Sequence, residues 1–321
     1  MNARIFTAAS LAVTLAGVLP ARAADPQLVA LLMPDVQVVA GVNVDQAKAT
    51  PFGQYVLNQI ASAQDLKIQE LTAMTGFDPT RDVHELLVAS NNVAAGGNNH
   101  TGLCVAKGSF DAAKIAAAAA TGGGTTESYN GATIIEDPHK THGVAFLNSS
   151  LVVAGDLANV KAAIDRQKIP TPIPSAVAVQ INQWSTTQDA WAITAVPLSS
   201  LHPSQTAPQV PGLNGQGAFQ SVQSAAGGVK FGNSVVVTGQ AKTDTAQNAQ
   251  TIGDTIKLLA SLAQMQASKD PTAAALAQSL QVTNSGTSVN VTVSLPEDQF
   301  EQIVKPKANL RTAPRKGDRK M

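Results

Sequence analysis

The chain has 321 residues, 44% of them hydrophobic, which is enough for a sizeable core and favours two packed units over one. Only 14% of the residues are charged, so the surface is polar but weakly charged. Between Ala24 and Val304 there are 13 basic and 21 acidic residues, a net charge of −8. An acidic body does not attract nucleic acid, so the charge argues against nucleic acid as a partner.

The first 23 residues have the pattern of a cleavable export signal. A positive charge at Arg4 precedes an apolar run from Ile5 to Leu19, and Ala21-Arg22-Ala23 provides the small residues of an A-x-A cleavage site. The apolar run is too short to span a membrane comfortably. The sequence therefore predicts cleavage before Ala24 and a periplasmic or secreted bacterial protein.

The first half of the mature chain alternates strands with helices. The predicted strands are 37–44, 84–90, 101–107 and two hairpins, 126–135 and 144–154, of which the first turns at Asn130-Gly131. The predicted helices run from Pro51 to Gly76 with a break near Ser62, from Phe110 to Thr121 behind a Ser109 cap, and after Asp156.

The second half begins after a proline-rich junction at 167–174. Its predicted strands are 189–196, a hairpin across Gly232-Asn233, and a last hairpin about Asn284-Ser285-Gly286. A long helix is predicted behind a Thr243 cap, a second from Asp270-Pro271, and a short one after Pro296. Trp184 and Trp191 are interpreted as core residues. The long Pro197–Gly217 segment is either a lid over a functional site or a mobile surface loop.

This order of elements predicts an α+β fold with two units, each an antiparallel sheet with helices on one face. The units span 24–168 and 169–304, and a basic, disordered tail follows at 305–321. The recurrence of Val38-Val-Ala-Gly41 as Val152-Val-Ala-Gly155 suggests that the two halves are related. The tail carries seven basic residues and one acidic residue, which allows a weak contact with the cell envelope.

Cys104 is the only cysteine, so an intramolecular disulfide is excluded. It lies in the apolar run Thr101–Ala106, which predicts a buried strand and an inert core thiol. No cysteine follows the signal as a lipid attachment site, and no later stretch is apolar enough to span a bilayer.

Asp137, His139 and His142 form the densest group of potential metal ligands. Imidazole and carboxylate groups suit a divalent metal, but these residues fall in a loop between two strands, where their spacing fixes no geometry. A solvated hairpin tip is the alternative interpretation. No phosphate loop, nucleophile elbow or H-E-x-x-H motif occurs, so the sequence assigns no catalytic residue and no cofactor.

Several segments resemble a set of uncharacterised secreted bacterial proteins. They are Met33–Val44, Thr50–Gly53, Gly76–Asp82, Val229–Gly232 and Leu295–Gln299. The chain departs from their pattern at Asn43, where the pattern has aspartate. The resemblance implies export and a two-part α+β body, and it transfers no catalytic residue.

The sequence therefore favours an exported soluble protein that acts as a non-catalytic binding or interaction module. Its partner would be an unidentified protein or a small-molecule ligand. Two alternatives stay open: a metal-dependent or acid/base hydrolase of the cell envelope, and an envelope-associated structural protein that uses the basic tail.

Overall fold

The computed structural model describes residues 23–62, 66–92, 102–200, 220–265 and 271–304. The predicted signal up to residue 22, residues 201–219, which include most of the Pro197–Gly217 segment, and the basic tail 305–321 lie outside the described residues. The predictions made for those segments stay predictions.

Within these ranges, twelve strands form one sheet, in which every neighbouring pair is antiparallel. The strands are β1 (Val38–Asn43), β2 (Val83–Ser90), β3 (Gly102–Gly108), β4 (Thr125–Tyr129), β5 (Ala132–Glu136), β6 (His142–Asn148), β7 (Leu151–Asp156), β8 (Ala190–Thr194), β9 (Val222–Lys230), β10 (Ser234–Thr243), β11 (Gln281–Ser285) and β12 (Ser288–Pro296).

The spatial order of the strands is β11-β12-β10-β9-β8-β1-β2-β3-β7-β6-β5-β4. Strand β1 lies near the middle and joins the two halves of the chain, because it pairs with β2 on one side and with β8 on the other. The predicted α+β class is confirmed, and the structure has one continuous sheet where the sequence predicted one for each half. The division at 168/169 stays a prediction.

The helices of the described residues lie between and after these strands. They are α1 (Pro26–Val29), α2 (Val44–Lys48), α3 (Pro51–Ser62), α4 (Leu66–Thr75), α5 (Pro79–Asp82), α6 (Ala112–Thr121), α7 (Leu157–Lys168), α8 (Ser175–Thr187), α9 (Ala246–Met265), α10 (Pro271–Ser279) and α11 (Glu297–Val304), with a 3₁₀ turn at Leu198–Ser200. None of these helices is long and apolar enough to cross a lipid bilayer.

Alternation along the strands gives the sheet two faces with different surroundings. The first face carries Val39, Leu87, Leu103, Val153 and Trp191, which are buried in one large core together with residues of α1, α7 and α8. Those helix residues are Leu28, Val160, Ile164, Val177, Ile181 and Trp184. Both tryptophans are buried in this core, which confirms the prediction for them.

The second face also carries helices, so the prediction of helices on one face only is corrected. At one end the ring of Phe110, just before α6, lies 6.0 Å from that of Phe146 on β6. Phe52 of α3 lies 5.4 Å from Phe231 and 5.2 Å from Phe300 of α11. A smaller core lies against α9 and consists of Val222, Ala249, Ile252 and Val289. The physical reason is that strands such as β2 are apolar on both sides.

Local details correct three further expectations. Asp111, and not Ser109, caps α6, because its carboxylate accepts a hydrogen bond from the Lys114 amide at 3.1 Å. The hydroxyl of Thr245, and not that of Thr243, accepts a hydrogen bond from the Asn248 amide at 3.2 Å at the start of α9.

The expected junction is followed directly by α8, an entire helix that was not predicted from the sequence. The turn at Asn130-Gly131 is confirmed by positive φ angles of 49° and 88°.

Candidate functional site

A pocket opens on the second face of the sheet where β2, β3, β7 and β6 lie side by side. Its volume is about 380 Å³. Mostly apolar residues and backbone surround it: Val88, Gly102, Leu103, Cys104, His142, Ala154, Gly155 and Asp156. The strands supply this floor because Val88 faces Cys104 across β2 and β3, and Cys104 faces Ala154 across β3 and β7.

Val88 is the most unusual residue of the pocket. It lies on an inner strand of the sheet, yet 46% of its surface is exposed, whereas its neighbour Leu87 on the first face is fully buried. A single exposed apolar side chain on a protein surface is common. Here the exposed valine adjoins the half-buried Cys104 and Ala154 on the next two strands, so the open surface is a continuous apolar patch.

Gly155 shapes the floor of the pocket. Its φ of +146° is disfavoured for residues with a side chain, and a Cβ atom there would lie 2.2 Å from the Gly102 carbonyl oxygen. Only glycine lets β7 approach β3 this closely. The same approach brings the Gly102 amide to Asp156, whose Oδ2 accepts its hydrogen bond at 2.6 Å.

His142 and Asp156 form the polar rim of the pocket. They face each other across β6 and β7, and the distance from His142 Nε2 to Asp156 Oδ1 is 3.9 Å. The Nδ1 atom of the imidazole lies 2.9 Å from the hydroxyl oxygen of Thr141. The rim can therefore offer a ligand one imidazole nitrogen and one carboxylate oxygen beside an apolar floor. The sequence pattern points to His142 only as a metal ligand and to Asp156 only as the residue before a helix. Asp156 does occupy the N-cap position of α7, but its side chain makes no cap hydrogen bond there.

Asp137 has a structural role in the turn between β5 and β6. Its carboxylate accepts hydrogen bonds from the amides of Thr141 at 2.7 Å and His142 at 2.8 Å, and from the Thr141 hydroxyl at 3.0 Å. These hydrogen bonds lower the pKa of Asp137 to about 2, and the one from the His142 amide has the largest effect. Because both carboxylate oxygens are occupied, Asp137 is a poor candidate for a metal ligand.

The predicted metal site gains no support from this geometry. Among the residues that the structure describes, no group of three His, Cys, Asp or Glu side chains is placed to hold a metal ion. His139 lies on the exposed turn, whereas His142 lies at the pocket rim beside Asp156.

Cys104 differs from the expected core thiol in its position. It is half-buried and lies on the second face, at the pocket floor, and not in the core of the first face. Burial raises the pKa of its thiol to about 11. The thiol is therefore protonated at neutral pH, and a nucleophilic cysteine needs a shift in the opposite direction. The expectation of an unreactive thiol fits this environment.

One signal in the sequence points to a strand of the pocket floor, but not to the pocket itself. The segment Leu86-Leu-Val-Ala89 is apolar at consecutive positions, which is typical of a strand covered on both faces. Where such a strand has an open side, as at Val88, an apolar surface is left for a ligand. The sequence does not say which strand positions other elements cover, so this site could not be predicted from it.

Comparisons with known proteins address the fold alone. No protein-family model matches the chain, and no curated protein is similar to it in sequence. Two solved structures of the protein TP0453 are similar in fold. Crystal form III has 8% identity and a TM-score of 0.53 over 86% of this chain and 96% of that chain. Crystal form IV has 9% identity and a TM-score of 0.51 over 87% and 96%.

Proposed function

We propose that this protein is an exported, non-catalytic binding protein, and that the pocket on the second face takes an apolar part of its ligand. The observation that carries the proposal is the exposure of Val88 at the floor of an open, mainly apolar pocket. Ligand sites are typically concave, mostly apolar and supplied with a few polar groups that orient the ligand.

The apolar floor supplies only part of the affinity in this proposal, because it is small and open. Covering Val88, Cys104 and Ala154 removes apolar surface from water, which stabilises a complex by about 25 cal/mol for each Å² buried. His142 and Asp156 lie at one side, so a polar group of the ligand would meet them there. A small molecule or a short apolar side chain of a partner protein both meet these requirements.

The chemistry of the pocket favours binding over catalysis. Of its side chains, only Cys104 could act as a strong nucleophile, and burial keeps its thiol protonated. His142 and Asp156 are 3.9 Å apart, longer than a hydrogen bond between a catalytic base and its orienting group. The signal pattern at 1–23 supports the proposal of export, and the proposed location is the periplasm or the outside of the cell.

The proposal is tested with N-phenyl-1-naphthylamine, a neutral apolar dye whose fluorescence rises when it leaves water. We expect saturable binding of one dye per chain to the wild-type protein. Val88→Arg places a long, charged side chain in the pocket and should weaken dye binding at least tenfold. Because Val88 is already exposed, the variant should still fold.

Val179→Arg is the matched control. Val179 is 65% exposed on α8, a helix that packs on the first face, so its replacement adds the same charge far from the pocket. Dye binding to this variant should equal that of the wild type. If both variants bind the dye equally, or if binding does not saturate, the pocket is not the binding site and the proposal is wrong.

A further inference from the structure

The first residues after the predicted cleavage site are built into the core. Ala23 is exposed, whereas Ala24 is 8% exposed and begins a segment whose apolar side chains are buried on the first face. Those side chains are Leu28, Leu31, Leu32 and Met33. The chain therefore enters the folded body at the residue that signal cleavage would make its first.

The backbone nitrogen of Ala24 has a buried hydrogen-bond partner. It donates to the hydroxyl oxygen of Ser185 on α8 at 2.9 Å, and Ser185 is itself buried. The next amide, that of Asp25, donates to Oε1 of Glu85 on β2 at 3.0 Å. The amino end of the mature chain is thus held between a hydroxyl group and a carboxylate.

The charges around this position do not balance. Asp25 pairs with Lys107 on β3, while Glu85 lies close enough to both for each to influence its titration. Within the part of the chain that the structure describes, two carboxylates and one ammonium group leave this cluster with a net charge of −1. Burial raises the pKa of Glu85, and the charge of Asp25 adds to this, whereas the hydrogen bond from the Asp25 amide and the charge of Lys107 act in the opposite direction.

We propose that cleavage of the Ala23–Ala24 peptide bond completes this cluster, because the new α-ammonium group of Ala24 docks between Ser185 and Glu85. Hydrolysis by a peptidase of the export pathway adds one water molecule. The carbonyl carbon of Ala23 becomes a carboxylate that leaves with the signal, and the Ala24 amide nitrogen becomes an amine. An α-amino group has a pKa near 8, so this amine takes up a proton at neutral pH.

The docked ammonium group makes removal of the signal a stabilising event for the fold. In the uncleaved chain the Ala24 nitrogen is an uncharged amide with one hydrogen atom. After cleavage it can donate to Ser185 and also compensate the charge of Glu85. This inference shares the export signal with the proposed function, but it does not depend on the pocket, so either can fail without the other.

The first test is the mass of the exported protein. The full chain is produced in an exporting bacterium, and the purified product should begin at Ala24. A product that begins at any other residue would overturn the proposal, whatever the result of the dye experiment.

The second test compares two forms of the chain that begins at Ala24, one with a free α-amino group and one acetylated selectively at that group. Acetylation removes the charge, and it should lower the melting temperature by about 2–4 °C, the shift typical of one lost interaction of this size. In a Glu85→Gln background the difference should shrink by at least half. Equal melting temperatures, or a difference unaffected by Glu85→Gln, would contradict the docking.

A third measurement needs no substitution at all. The side-chain carboxyl carbon of Glu85 can be titrated by NMR in the free and the acetylated chain. Because a nearby positive charge favours the carboxylate, the pKa of Glu85 should be lower in the free form, with Asp25 and Lys107 present in both. If the two pKa values coincide, the ammonium group does not lie beside Glu85, and the proposal is wrong.

Discussion

The two faces of this sheet are made of the same strands, yet only the first is closed. On the first face, Leu87 and Val153 are fully buried beneath α7 and α8 in the large core. On the second face, helices and aromatic rings lie towards the ends of the sheet, and Val88 is left 46% exposed. Adjacent residues of one strand thus have opposite surroundings.

This difference indicates where stability and function reside. A closed, well-packed face supplies most of the stabilising burial, so changes there should alter the free energy of unfolding. An open apolar face contributes little to stability, and it is the face to which our proposal assigns ligand binding. Substitutions matched across the two faces can test this division of roles.

The largest effect is expected when Leu87 is compared with Val88. Leu87→Ala leaves a cavity in the first-face core, and it should lower the free energy of unfolding by about 2–5 kcal/mol. Val88→Ala removes methyl groups that are already largely in contact with water, and its effect should stay within about 0.5 kcal/mol. Urea unfolding of both variants provides the measurement. Equal losses would mean that the second face is as closed as the first.

The reactivity of Cys104 tests whether the pocket is inert. With its pKa raised from 9.0 to about 11, the thiolate fraction at pH 8 is lower by roughly 100-fold than that of an unperturbed thiol. Alkylation by iodoacetamide should be slower than that of free cysteine by about this factor, and its rate should rise until the pH passes about 11.

Since Cys104 is the only cysteine, every alkylated molecule reports on this residue alone. A thiol that reacts at pH 7 as fast as free cysteine would contradict the assignment of the pocket as non-catalytic. Such a result would revive the hydrolase alternative.

A smaller effect is expected from a pair of glycines on opposite faces. A Cβ atom at Gly41 on the first face would lie 2.5 Å from the Trp191 ring, so Gly41→Ala should destabilise the protein by about 1–3 kcal/mol. A Cβ atom added at Gly239, on the second face, would have no neighbouring atom within 4 Å.

Gly239→Ala therefore serves as the matched control and should leave stability unchanged or raise it slightly, because alanine restricts the unfolded chain. Thermal unfolding of both variants provides the comparison. If Gly239→Ala is as destabilising as Gly41→Ala, the second face is not open at this point.

Local patterns predicted much of the fold. The strands β1 and β12, the turn at Asn130-Gly131 and the helix start at Pro51 all follow from short-range chemistry, and the structure confirms them. The helix α8 was missed because three prolines directly before it resemble a linker. In the structure the last of these, Pro174, occupies the cap position of α8.

The single sheet and the pocket could not be predicted, because both depend on contacts between distant parts of the chain. The pairing of β1 with β8 leaves no local trace in either strand. The exposure of Val88 depends on where helices from other parts of the chain end. Sequence alternation identifies the faces of a strand, but it does not reveal which face is covered.

The position of β1 between β2 and β8 has a consequence for the timing of folding during synthesis. Strand β2, which pairs with one edge of β1, is synthesised soon after it. The other edge of β1 stays unpaired until β8 (Ala190–Thr194) has been synthesised. At roughly 5–20 residues per second, that delay is on the order of ten seconds. The nascent chain therefore stays incompletely folded until well over half of it has been synthesised.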